Sequence, residues 1–204
     1  MNNRIYLSAL LSVLCFCFST NAVAEDYTLT INGEEHAIDL DKDTTITLKD
    51  GTKLSLNLNL KEFLRFEGGS FSFEHKNHLK PSRTDLGEGI VQTLMTTATG
   101  TGLIIQEYPE TDPTTLIDFM IKSLIEEEIA AGYTLKEEAF SRKVGEADIK
   151  GKAAITKSDD IEWTRVVSAH KSGKGGILII TFIEIDSDGE EQIIEDFWKT
   201  LKLK

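Results

Sequence analysis

Beyond residue 17 this chain contains no cysteine. Its two, Cys15 and Cys17, stand in the first apolar run. The rest of the chain therefore forms no disulfide and offers no thiol as nucleophile or metal ligand. Proline is nearly as scarce, with Pro81, Pro109 and Pro113 the only three in 204 residues, which excludes a proline-rich linker. Positive charge is also short. Lys and Arg number 22 against 34 Asp and Glu, a net charge of −12. Such a field repels nucleic acid and anionic membrane surfaces, so no nucleic-acid partner is expected. The apolar run Ile5–Phe18 falls short of the roughly 20 residues a membrane span needs. No transmembrane segment is expected in the mature chain.

What is present begins with an address. Arg4 precedes the apolar run, and Ala22-Val23-Ala24 precedes Glu25-Asp26. Positive n-region, short h-region and small-x-small site together predict a signal peptide over 1–24. Cleavage near Ala24 places the mature protein in the periplasm or outside the cell. Arg4 is the only charge removed, so the mature chain is one unit more negative than the whole.

Residues 25–62 read as a β-meander. Tyr27, Leu29 and Ile31 alternate with polar residues up to Asn32-Gly33, a hairpin turn signal. Asp50-Gly51 leads into Leu54, Leu56, Leu58 and Leu60 at period two. A main domain at 63–204 follows. It opens with short strands around Gly68-Gly69, and His78–Gly89 lacks periodicity and reads as an exposed loop. Ile90–Thr97 and Leu103–Tyr108 predict a hairpin. Asp112 and Pro113 predict a helix start, and Gly132 predicts its end. Glu126, Glu127 and Glu128 read as exposed residues near that end. Strands follow near 150–157, 161–169 and 176–185, the last a central strand buried on both faces. Ile193, Ile194, Phe197, Trp198 and Leu201 form the stripe of a closing helix meant to dock on it.

Several of these features carry a resemblance. Phe71-Ser72-Phe73, Ile104-Ile105-Gln106-Glu107-Tyr108, the helix after Asp112-Pro113, Val144-Gly145-Glu146-Ala147, Gly176–Thr181 and Phe197–Leu201 are the residues concerned. On these, residues 64–204 resemble the PsbP-like fold, shared by a photosystem II extrinsic subunit, a Ran-GTPase-binding protein and DcrB-type bacterial envelope proteins. The resemblance implies an α+β domain, an antiparallel sheet flanked by helices, and a partner-binding role without catalysis. An exported protein-interaction or accessory module of the bacterial envelope is the expected function. A periplasmic small-molecule or lipid-binding protein is the alternative, and a hydrolase is less favoured.

No catalytic, cofactor or metal residue is nominated. Asp39, Asp41, Asp43 and Asp50 have the carboxylate spacing of a calcium loop, but Thr44 stands where the turn glycine is needed. A solvated acidic edge is the simpler account. His75 and His78 lack a third ligand nearby. His170-Lys171-Ser172-Gly173-Lys174 has the wrong order for a phosphate-binding loop and reads as a hairpin. The candidate contacts for a protein partner are exposed cations on an acidic chain: Lys80 and Arg83 in the aperiodic segment, Lys171 and Lys174 in the hairpin.

Overall fold

Glycine turns and alternating apolar residues lay residues 27–60 out as two separate hairpins rather than one continuous meander. This computed structural model describes residues 27–159, 161–184 and 189–204; the leader expected at 1–24 lies outside them. Strands β1 (Tyr27–Ile31) and β2 (Glu34–Ile38) pair antiparallel. They turn on Asn32 and Gly33, both at positive φ. Strands β3 (Asp43–Thr47) and β4 (Lys53–Asn57) pair likewise. An isolated parallel bridge links Leu40 to Leu58. Ile38 and Ile46 are the buried hydrophobics of this stretch. The chain divides into compact units between Leu60 and Lys61, where the sequence reading placed the division at 62/63.

In the second unit, β5 (Phe63–Glu67) and β6 (Phe71–Lys76) precede β7 (Ser82–Gly87), β8 (Ile90–Thr96) and β9 (Gly102–Tyr108). The next stretch is a 3-10 turn at Pro113–Leu116 that runs into helix α1 (Ile117–Ala130). Four strands come after it: β10 (Thr134–Val144), β11 (Ala147–Lys157), β12 (Glu162–Ser172) and β13 (Gly175–Glu184). Helix α2 (Glu191–Thr200) and β14 (Lys202–Leu203) close the chain. Seven strands form one antiparallel sheet in the order β10-β11-β12-β13-β9-β8-β7, and β14-β6-β5 form a second. Strand β13 is the middle of the seven, with Leu178, Ile179 and Ile180 buried.

This corrects the expected fold class. Among the described residues the protein is mostly β, 57% strand and 16% helix, and not a helix-flanked α+β arrangement of the PsbP-like kind. The reason lies in long-range pairing. Lys202 and Leu203 pair with Ser72 and Phe71, which makes the strands around Gly68-Gly69 a second sheet. Helix α2 runs beside β6, and its apolar side chains share one core with Ile177 and Ile179 of β13, so it belongs to the layer of the small sheet that covers the main one.

Alternation sorts the core into two halves. Met95, Leu103, Ile105, Ile177 and Ile179 meet Phe71, Phe73, Phe197 and Trp198 on one face of the main sheet. Phe73 meets Phe197 edge-on at 5.2 Å between centroids. Ala154, Val167, Leu178 and Ile180 meet Ile121 and Ile125 of α1 on the other. Helix α1 starts as its sequence implies, with the Asp112 carboxylate accepting from the Thr114 N–H at 3.0 Å. Glu128, read as exposed, is instead half-buried: it takes a bidentate ion pair from Arg165 and accepts from Thr156 Oγ1 at 3.0 Å. The Arg165 guanidinium also lies 5.1 Å from the Trp163 ring.

The segment His78–Gly89, expected as a loop, contains β7, hydrogen-bonded to β8 at one end of the main sheet. All six residues of β7 are exposed. An edge strand wet on both faces has no apolar alternation, so its sequence looks like a loop. Among the described residues, no helix is long and apolar enough to cross a membrane.

Candidate functional site

A strand that keeps one face apolar and then ends on a charge must find that charge a partner. In β9, Leu103 and Ile105 face the aromatic core, and Glu107 is the next residue on that face. Its carboxylate accepts from the Gly69 N–H at 3.2 Å, from the Ser70 N–H at 2.7 Å and from Ser70 Oγ at 2.8 Å. The turn between β5 and β6 is thereby tied to the end of β9. A Cβ on Gly69 would sit 2.5 Å from the Glu107 carboxylate, so a side chain there would push the carboxylate off its present bonds. On the far side, a Cβ on Gly175 would meet the Tyr108 carbonyl at 1.9 Å. The β12–β13 hairpin can close on β9 only without that side chain.

These close approaches leave a cleft of about 390 Å³ lined by Ser70, Arg83, Glu107, His170, Ile177 and Lys204, among others. Arg83 of β7 donates from Nη2 to Glu107 Oε1 at 3.3 Å, and its side chain is 47% exposed. That is its one hydrogen bond among the described residues. Glu107 also accepts from Ser70 and Gly69, so Arg83 shares its acceptor, and its other guanidinium donors have no partner among the described residues. Lys204 is more fully engaged, donating to the Gly68 carbonyl at 2.9 Å and pairing with Glu67 at 2.8 Å. The Lys204 ammonium, with Arg65 next, holds the Glu67 carboxyl below its ordinary value. Burial pushes the Tyr108 phenol up, and its hydroxyl donates to Gln106 Oε1 at 2.7 Å.

The structure brings part of the expected contact set together. Arg83 lines the cleft, and so do His170 and Ser172, which flank Lys171 on the hairpin. Lys171 pairs with Asp112 at 2.7 Å, and this ammonium, helped by Thr114, lowers the Asp112 carboxyl to about 2. Lys174 reaches Glu110 at 3.5 Å, both highly exposed. Lys80, between β6 and β7, is exposed and does not line the cleft. Glu107 was missed by sequence reasoning. Its signal was a carboxylate at the end of an apolar alternation.

A second hollow, of about 380 Å³, lies between α1 and β10. Ile121, Ile125, Ile129 and Leu135 supply its apolar wall, and Lys122 and Lys152 are among its charged residues. In the first unit, three of the four aspartates at 39–50 have protein partners. Asp39 pairs with Lys42 at 2.8 Å, Asp43 accepts from Asn57 at 2.8 Å, and Asp50 accepts from the Thr52 N–H at 2.9 Å. Among the described residues, no three His, Cys, Asp or Glu side chains gather as a metal site.

No known family pattern matches the sequence. No curated protein is significantly similar to it. Among solved structures, a protein from Bacteroides thetaiotaomicron matches with a TM-score of 0.38 and 15% identity, over 71% of this chain and 49% of that one. This chain therefore spans about half of that protein's length. Likeness at that level assigns neither fold nor function.

Proposed function

We propose that this chain is an exported, non-catalytic protein-interaction module of the bacterial envelope, and that its partner places an acidic group in the Arg83 cleft. The observation that carries this reading is the state of Arg83. Its side chain lines a cleft and is half-exposed, and its one acceptor among the described residues, Glu107, also takes the turn at Gly69-Ser70. A guanidinium with spare donors suits a carboxylate or phosphate, which it can grip in bidentate fashion. Export is supported by the leader-like sequence at 1–24. The test is affinity capture from the native envelope with the full chain and with Arg83→Glu. The partner recovered by the parent chain should be lost with the variant, whose melting temperature should barely move, because exposed ion pairs contribute little. Equal recovery by both chains would remove the cleft from the binding surface.

One observation favours a second reading, a small apolar ligand or lipid. The hollow between α1 and β10 has an apolar wall of isoleucine and leucine. Native mass spectrometry of protein purified from the envelope would decide it. A bound apolar molecule, lost on Ile125→Asp, supports that reading, and bare protein speaks against it.

A further inference from the structure

The two ends of the main sheet differ. Strand β7 has six residues and an irregular register between Asp85 and Gly87, a device that discourages pairing. At the other end, β10 runs for eleven residues in unbroken register with β11. Residues Thr134 to Ala139 of β10 are all exposed. Among the described residues no strand pairs with its outer edge, so that edge presents backbone donors and acceptors, the template on which another strand adds.

The charges of β10 are ordered rather than scattered. Glu137 and Glu138 lie before its middle, Arg142 and Lys143 after it, with Phe140 midway between these pairs. In the register with β11, Glu138, Phe140 and Arg142 lie opposite Ala153, Gly151 and Ile149 and share one face. Glu137, Ala139, Ser141 and Lys143 share the other. Two antiparallel copies of an edge strand are related by a two-fold axis perpendicular to the sheet, which keeps each residue on its face. Self-pairing can therefore shift only in steps that preserve the alternation. Centred on Phe140, Glu138 of each protomer meets Arg142 of the other on one face, and Glu137 meets Lys143 on the other face. Ala139 meets Ser141, and the two Phe140 rings meet at the axis. Moving the centre to Ala139 sets Lys136 against Arg142. Moving it to Ser141 leaves no opposite charges facing each other. Centres at Lys136, Glu137, Glu138, Arg142 or Lys143 each bring two like charges together on the axis, and only the Glu137 centre among them also sets opposite charges face to face, Lys136 against Glu138.

We infer that the occupant of the β10 edge is a second copy of this chain, paired antiparallel about Phe140 so that the seven-stranded sheets of two protomers become continuous. The anchoring groups are already in place. Phe140 packs 5.5 Å from the Trp198 ring. Arg142 is fixed by a bidentate bond to Glu195, at 3.0 and 2.7 Å, and lies 5.5 Å from the Trp198 ring. Of its five donors it keeps others for a second carboxylate. Glu138 exchanges its present partner Lys136, 2.5 Å away within the same strand, for the fixed guanidinium of the other protomer. Pairing of this kind is isologous and closes on itself, so it yields a dimer and not a fibre.

Sedimentation velocity on the mature chain, over a concentration series, tests this. The parent chain should sediment at twice the protomer mass. Glu137→Lys with Glu138→Arg should sediment as a monomer, and so should Arg142→Glu with Lys143→Glu. An equal mixture of the two variants should regain the doubled mass, because every facing pair is again of opposite charge. A parent chain that stays monomeric at high micromolar concentration would overturn the inference. So would a mixture that remains monomeric, or variants that dimerise as well as the parent. Should Arg142→Glu disturb α2 through the lost Glu195 bond, the exposed pair Glu137→Lys and Lys143→Glu gives the same readout. Each alone should weaken dimerisation, and the mixture should recover it; failure of that recovery likewise refutes the pairing.

Discussion

Residues 27–60 and residues 61–204 are both built from alternating strands, yet they differ in depth. The first unit has strands of five residues in separate two-stranded sheets and buries Ile38 and Ile46. The second has strands of up to eleven residues and two core clusters, one aromatic and one aliphatic. The lesson is that alternation specifies a strand but not a core. A hairpin with one wet face is marginal by itself. Depth comes when a second layer, here β6 with α2 or helix α1, covers the apolar face.

The largest test of this contrast is Trp198→Ala. The indole is 5% exposed and contacts Phe140 and Phe197. Its removal should cost about 3–5 kcal/mol in denaturant titration. A loss below roughly 0.5 kcal/mol, the usual surface value, would show that α2 does not seal the aromatic half. Next comes Arg165→Ala on the aliphatic side. It strands Glu128, which is 19% exposed, and should cost about 3 kcal/mol. Adding Glu128→Gln to it should recover part of the loss; no recovery would mean that packing on Trp163, not the charge pair, is what matters.

Ile46→Ala probes the shallow unit. Its cost should be about 2 kcal/mol, near the low end for such truncations, because the two-stranded sheets around it are short and can close on the space left. Hydrogen exchange should quicken in β3 and β4; unchanged exchange there would show that Ile46 does not hold this hairpin together. The smallest effect concerns Asp112. Its carboxyl titrates at about 2, below the ordinary 3.8, chiefly because Lys171 bonds it. A depressed folded-state value adds stability that is present above the ordinary value and lost as pH falls through about 2. Carboxyl NMR on Lys171→Ala should show the midpoint moving up toward 3.8; an unmoved midpoint would assign the shift to Thr114.

Legibility followed the same divide. The turn at Asn32-Gly33, the start at Asp112-Pro113, the β8–β9 hairpin and the central position of β13 were readable, because each rests on neighbours in sequence or on an apolar period. Of the candidate site, Arg83 could be chosen as an exposed cation, but not its partner. Glu107 meets Gly69 and Ser70 only after the chain folds back on itself. Strand β7 escaped notice because an edge strand wet on both faces carries no period.

By itself, the sequence determined most of the local elements, though not β7, and the acidic, cysteine-free character of everything past residue 17. Turn glycines, caps and alternation act through steric and hydrogen-bonding rules that span a few residues. Only the tertiary structure decided the layering. Phe71-Ser72 and Lys202-Leu203 lie some 130 residues apart, and their pairing turned a segment read as short strands into a second sheet. The same closure drew Arg83, Glu107, His170 and Lys204 around one cleft. Such contacts depend on which apolar faces meet and exclude water together, a property of the whole chain that no short window of residues contains.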